Sequence, residues 1–214
     1  MARVCVLGGT GYAGAAIVAE AARRGHEVTA VSRKPPAEPV PGVTYLTGSV
    51  LQETFLEQAV DGQHVVVEAL SPRGDMAGKV ERVFDLLLAL AERDGFRFGV
   101  VGGVSSMLVA PDGPRLLEAS PPSPEVRAEA ELGVRKLEVL RETPESVDWF
   151  YVSPAAEFGA WVPGEKTGTY RVSDDVLLTG PDGRSHISAA DLALAVLDEI
   201  EQPGHRRRRF HVAN

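Results

Sequence analysis

Four glycines fall within seven residues near the start of the chain, at Gly8, Gly9, Gly11 and Gly14. That density clears side chains from a place where something must approach the backbone. Gly8, Gly11 and Gly14 fit G-x-x-G-x-x-G, while Gly9, Gly11 and Gly14 fit G-x-G-x-x-G, so spacing leaves two registers open. Either serves the same chemistry. A strand turns sharply into a helix, a diphosphate nears the backbone without meeting a Cβ, and free N–H groups with the helix dipole hold its charge. The short apolar run ARVCVL before the glycines and the Ala-rich run after them supply that strand and helix. The stretch therefore predicts dinucleotide binding.

The end of the next strand bears on which dinucleotide. A carboxylate there would bond a ribose 2′-hydroxyl and repel a 2′-phosphate. The sequence instead reads Val31-Ser32-Arg33-Lys34, with no carboxylate before Glu38. Arg33 can grip a phosphate bidentately, Lys34 adds a point charge and Ser32 a hydroxyl. This predicts NADP(H) as the preferred cofactor, with NAD(H) left open.

Other polar residues are sparser. Gly103-Val104-Ser105-Ser106 follows a later apolar run, where ligands of open parallel sheets collect, and Ser105 or Ser106 could hydrogen-bond a substrate carbonyl. They are the catalytic candidates. Glu68 lies inside the run HVVVEAL, where a carboxylate is costly to desolvate; it is either an acid near the cofactor or an edge residue. His26, His64, His205 and His211 show no metal-ligand spacing, so no metal site is expected. His186 reads as a loop residue, RRRR at 206–209 as a solvated face, and Phe158, Trp161 and Tyr170 as either packing or a wall for a planar substrate.

The elements that must position these groups alternate. Strands are expected at 2–7, 26–33, 43–48, 64–70, 96–103 and 147–154. Helices are expected from Gly11 to Arg24, from Ser49 to Val60 with Ser49 and Gln52 as a capping box, from Asp75 to Arg93, and from Pro124 to Glu142. A Pro-rich loop separates the fifth strand from the helix at Pro124. In the last third, 167–180 reads as two strands around Ser173-Asp174-Asp175. Ser188 and Asp191 then form a capping box for a final helix, and RRFHV closes as a strand. Alternating strands and helices with continuous apolar strands predict a doubly wound, Rossmann-like parallel sheet of α/β class. The whole chain, 1–214, is read as one domain, with residues 154–187 as a substrate-side elaboration.

Composition narrows the partners. With 214 residues, 44% of them hydrophobic and 24% charged, the chain can bury one sizeable core. Its net charge of −8 argues against nucleic acid and anionic membrane surfaces. One cysteine, no long apolar window and no leader-like start predict a cytoplasmic protein acting on a small molecule, as a monomer or homodimer.

Taken together, GGTGYAG, the SRK after strand two, VGGVSSM, DWFYVSPA, GEKTGTYR and the segment from SHISAADLALAVL to the end resemble the atypical short-chain dehydrogenase/reductases. Within them the chain looks like the small NAD(P)H-binding proteins grouped with biliverdin-IXβ/flavin reductases and NmrA-like regulators. The resemblance covers nearly the whole chain. It implies that Gly8, Gly9, Thr10, Gly11, Tyr12, Ala13 and Gly14 form the diphosphate loop, and that Ser32, Arg33 and Lys34 take the 2′-phosphate. Ser49 stands where relatives place an adenine-contacting Asp, and either bonds adenine or caps the next helix. Ala69, Leu70 and Ser71 would flank the ribose and nicotinamide, Ser153, Pro154 and Ala155 the carboxamide, and a serine at the end of strand five the nicotinamide.

One family hallmark is missing. The usual catalytic pair is Tyr-x-x-x-Lys, in which the Lys makes the phenol a usable acid. Tyr12, Tyr45, Tyr151 and Tyr170 are followed four places on by Ala16, Ser49, Ala155 and Asp174, and Lys136 is preceded by Leu132. The expected activity is NADPH-dependent reduction of a small, planar or conjugated molecule without that pair. A non-catalytic NADP(H) sensor and an epimerase- or dehydratase-like enzyme are the alternatives.

Overall fold

The computed structural model describes residues Met1–Asn214. Eight strands form one sheet: β1 (Arg3–Leu7), β2 (Glu27–Ser32), β3 (Thr44–Thr47), β4 (Val65–Glu68), β5 (Arg97–Val101), β6 (Trp149–Ser153), β7 (Arg171–Ser173) and β8 (Arg208–Ala213). Their order is β3-β2-β1-β4-β5-β6-β8-β7. All pairings are parallel except β7 with β8. This is the expected doubly wound Rossmann-like fold. The order reverses between β1 and β4, so their carboxyl ends splay apart and open a crevice.

The chain forms six helices, α1 (Tyr12–Arg23), α2 (Glu53–Val60), α3 (Val80–Asp94), α4 (Leu116–Ala119), α5 (Pro124–Glu142) and α6 (Ala189–Glu201), and all but the short α4 cover the sheet. The strands are apolar on both faces because both are covered. Val4, Val6, Val65, Val67, Phe150 and Val152 pack with α1 and α6, while Cys5, Leu7, Val66, Phe98, Trp149 and Tyr151 pack with α2, α3 and α5. Period-two alternation along each strand thus feeds two separate apolar layers.

Several boundaries differ from the sequence reading. The cap of α2 is Gln52 rather than Ser49; Ser49 Oγ instead accepts from Leu51 N at 3.3 Å. The helix expected from Asp75 begins at Val80, because Gly74 and Gly78 take left-handed φ of 58° and 68° and leave only a 3₁₀ turn, Gly74–Met76. The Pro-rich loop holds α4. Residues 167–180 do not form a pair of strands: β7 pairs antiparallel with β8, and Val176 makes only an isolated bridge to Leu108.

Candidate functional site

A crevice of about 660 Å³ opens at the switch point, walled by the loops after β1, β2, β4, β5 and β6 and by one face of α5. Its floor is the glycine turn. Gly8 adopts φ +83°, and a Cβ there would stand 2.6 Å from Ala69 O at the end of β4. A Cβ on Gly14 would collide with Gly8 O, and one on Gly9 would lie 2.8 Å from Ala30 Cβ. Gly11 is different. Its only neighbour would be Gly8 O at 3.2 Å, and it faces the crevice with Gly8, Thr10, Tyr12 and Ala13. Gly8 and Gly11 therefore face the crevice, while Gly9 packs behind the turn on β2 and Gly14 packs beneath it against Gly8.

Gly11 is also the N-cap of α1, and no side chain caps that helix. The first-turn N–H groups are thus left without a side-chain acceptor, with the dipole behind them, an arrangement that suits an anion. The residues thus fit a dinucleotide: a Cβ-free cradle, an open helix start and a long crevice.

Ser32 and Arg33 line the same crevice. Ser32 Oγ donates to Lys34 O at 2.6 Å, and Arg33 Nη1 lies 2.9 Å from the exposed carboxylate of Asp75. Lys34 is exposed beside the crevice rather than on its wall. Ala69, Leu70 and Ser71 form the β4 side, and Gly48 and Val50, flanking Ser49, reach the wall where Ser49 does not.

The structure separates other expected residues from the crevice. Ser153, Pro154 and Ala155 are buried behind it, with Ser153 Oγ donating to Gly103 O at 2.9 Å. Ser105 and Ser106 do not line it. Ser106 Oγ accepts from Arg209 Nη1 at 2.8 Å in a different concavity. The turn after β5 presents Gly102 and Gly103 to the crevice and carries Ser106 past it.

What the crevice wall presents instead is Lys136, backed by a buried carboxylate. Glu68, fully buried at the end of β4, meets Lys136 Nζ of α5 at 2.6 Å, and Glu68 Oε1 also accepts from Leu70 N at 3.2 Å. Lys136 is 6% exposed, belongs to the crevice wall, and has Phe84 at 5.4 Å from its nitrogen. Glu68 is thus no edge residue. The signal was readable: a carboxylate in an apolar strand needs a cation, and Lys136 interrupts the apolar stripe Val134, Leu137, Leu140 of α5.

Tyr151 lies behind this pair. Its hydroxyl donates to Gly133 O at 2.9 Å and accepts from Gly103 N at 3.0 Å, and burial pushes its pKa up to about 12. Both hydrogen-bonding roles are taken, so it ties β5 to α5. Tyr170 is remote from the crevice and donates to Asp198 at 2.6 Å, with its pKa raised by burial and that carboxylate. At the far rim, Arg73 joins three segments. It pairs with Glu129 of α5 at 2.7 Å and lies 4.9 Å from the ring centroid of the exposed Trp161. Phe158, on the same side, contacts the Tyr12 ring at 5.1 Å.

A family profile described as NAD(P)H-binding matches residues 8–203. The chain belongs to that NAD(P)H-binding family. It is 34% identical over 214 residues to the uncharacterised protein YwnB of Bacillus subtilis, covering 99% of this chain and 98% of that one. Among solved structures it is similar to a candidate NADH-flavin reductase from Streptococcus pneumoniae, with a TM-score of 0.86, 29% identity and all of both chains covered. A candidate epimerase from Bacteroides thetaiotaomicron is as close in fold, with a TM-score of 0.86, 29% identity, and 99% of this chain and 96% of that one covered. These likenesses agree with the atypical short-chain dehydrogenase/reductase resemblance.

Proposed function

We propose that the chain is an NADPH-dependent reductase of a small, planar or conjugated molecule. The observation that carries this reading is Lys136, on the wall of a crevice whose floor is a Cβ-free dinucleotide cradle and paired behind that wall with the buried Glu68. Gly8, Thr10, Gly11, Tyr12 and Ala13 would hold the diphosphate, Ser32 and Arg33 the 2′-phosphate, and Ala69, Leu70 and Ser71 the nicotinamide side. When bound, the cofactor supplies a hydride. The chain's own part is to orient, to exclude water and to deliver a proton. Lys136 is the cation on the wall, and Glu68 offsets the cost of burying it and fixes Nζ in place. Tyr12, Phe158 and Trp161 give the rim aromatic faces suited to a flat substrate.

Single-turnover NADPH oxidation tests this across a panel of flavins, quinones, tetrapyrroles and enones. Turnover should appear with one class, and Lys136→Met should slow it by roughly a hundredfold or more, a typical general-acid contribution. Tyr151→Phe should slow it only a few-fold. A full rate in Lys136→Met would move the proton source to solvent. Tight NADPH binding without oxidation of any panel member would favour the sensor. Turnover without net NADPH consumption would favour the epimerase reading, which the Bacteroides likeness supports. For the cofactor, Arg33→Ala should weaken NADPH by roughly tenfold to a hundredfold and leave NADH unchanged.

A further inference from the structure

Helix α5 lines two separate concavities. With 3.6 residues per turn, Glu129, Leu132, Gly133 and Lys136 form one stripe, and Val134, Leu137, Glu138 and Arg141 form another well round the helix. The first stripe walls the crevice. The second walls a separate concavity of about 210 Å³, completed by the turn after β5, the residue following β7 by two, and β8.

Its charge runs against that of the molecule. Arg115, Arg141 and Arg209 face it with only Glu138 and Asp175, an excess of one positive charge in a chain of net −8. Arg209 is the base of the concavity, with a side chain 3% exposed. It donates to Ser106 Oγ at 2.8 Å and pairs with Asp175, and its Nε has no acceptor. Asp175 is half-exposed and shared: Arg141 stands 3.6 Å from the same Oδ1, beyond hydrogen-bonding distance. Arg115 reaches Glu138 at 3.1 Å. The Ser106 hydroxyl accepts from Arg209 and has no acceptor of its own. Donors therefore exceed acceptors around the cavity. A buried guanidinium is held by one carboxylate that solvent competes for.

The group that corrects both imbalances accepts hydrogen bonds only and carries negative charge. Guanidinium forks match planar carboxylates and phosphate oxygens bidentately. We propose that this concavity is a binding site for a small oxyanion, a phosphate or carboxylate group. Arg141 and Arg115 are its exposed arms, Arg209 is its buried base, and Ser106 is a hydroxyl donor. Asp175 occupies the place of the anion when none is bound and swings to solvent when one arrives. The site shares α5 and the turn after β5 with the crevice but none of its lining residues.

Calorimetric titration tests the site with inorganic phosphate and, separately, succinate, against chloride at equal ionic strength. Because the crevice can itself hold phosphate, wild type is compared with Arg33→Ala and Arg141→Ala. Wild type and Arg33→Ala should bind at least one of the two anions with equal affinity, and Arg141→Ala should bind it roughly tenfold more weakly or worse. Phosphate alone or succinate alone then assigns the source. NADPH affinity of Arg141→Ala should equal that of wild type, which shows an intact fold independently of the anion. Neither anion binding above the chloride control overturns the proposal. So does equal affinity in Arg141→Ala, or a loss confined to Arg33→Ala.

Discussion

Helices α1 and α6 pack side by side on one face of the sheet, and both are rich in alanine, yet their N-termini are finished in opposite ways. The start of α6 is closed. Ser188 Oγ accepts from Asp191 N at 3.0 Å, and the buried Asp191 carboxylate takes hydrogen bonds from Thr167 N and Gly168 N, each at 2.9 Å, and from Asn214 Nδ2 at 3.1 Å. The protein supplies its own anion there and uses it to fasten the segment after β6. The start of α1 is open: its cap is Gly11, its first turn has no acidic residue, and its N–H groups face a crevice. One helix end is spent on the fold and the other is kept for a ligand.

The largest expected effect comes from filling the open end at its tightest point. Gly14→Ala drives a methyl group into Gly8 O, and should lower stability by about 3 kcal/mol in chemical denaturation. Helix propensity alone would favour alanine by about 1 kcal/mol. A stabilised Gly14→Ala would therefore show that the turn yields.

At the closed end, Asp191→Asn should cost about 2 kcal/mol, because it strips a buried charged acceptor from its backbone donors. The same residue gives a pH dependence. Burial works to raise its pKa, but the hydrogen bonds from Thr167, Gly168 and Ser188 outweigh it and hold the carboxyl below its ordinary range. Its stabilisation is therefore complete above about pH 4, the ordinary carboxylate value, and is lost as pH falls through the lowered folded value. Denaturation from pH 7 to 2 should show a smaller loss in Asp191→Asn than in wild type, the shared remainder coming from other carboxyls held low, Glu20 and Glu199 among them. The smallest effect is Ser188→Ala, about 1 kcal/mol for a lost N-cap. A matching loss in cofactor affinity would break the contrast between the two ends.

Much of this contrast was legible in the residues. Ser188 three places before Asp191 announced the closed cap, and four glycines between a strand and an Ala-rich helix announced the open one. The same spacing rule misled at Ser49, because the chain is still turning there and the helix begins only at Glu53. The glycine register was not legible, since both spacings fit; it depends on β2 and β4, which bring Ala30 and Ala69 against the turn. That Glu68 needs a cation was legible, but which cation was not: Lys136 is 68 residues away and meets it only because of how α5 is seated on the sheet. The serines after β5 show the reverse. Their place after β5 was readable, but the Ser106 hydroxyl is taken by Arg209, more than a hundred residues away.

The central claim is that the open end of α1 holds a dinucleotide. Gly11 tests it most directly, because a side chain there would have one close protein neighbour, Gly8 O at 3.2 Å, and would otherwise fill the space meant for the diphosphate. NADPH fluorescence should be titrated against wild type and Gly11→Val, with thermal unfolding of both as the check on folding. The account predicts saturable binding to wild type, no measurable binding to Gly11→Val, and melting temperatures within a few degrees of each other. A folded Gly11→Val that binds NADPH like wild type would contradict it.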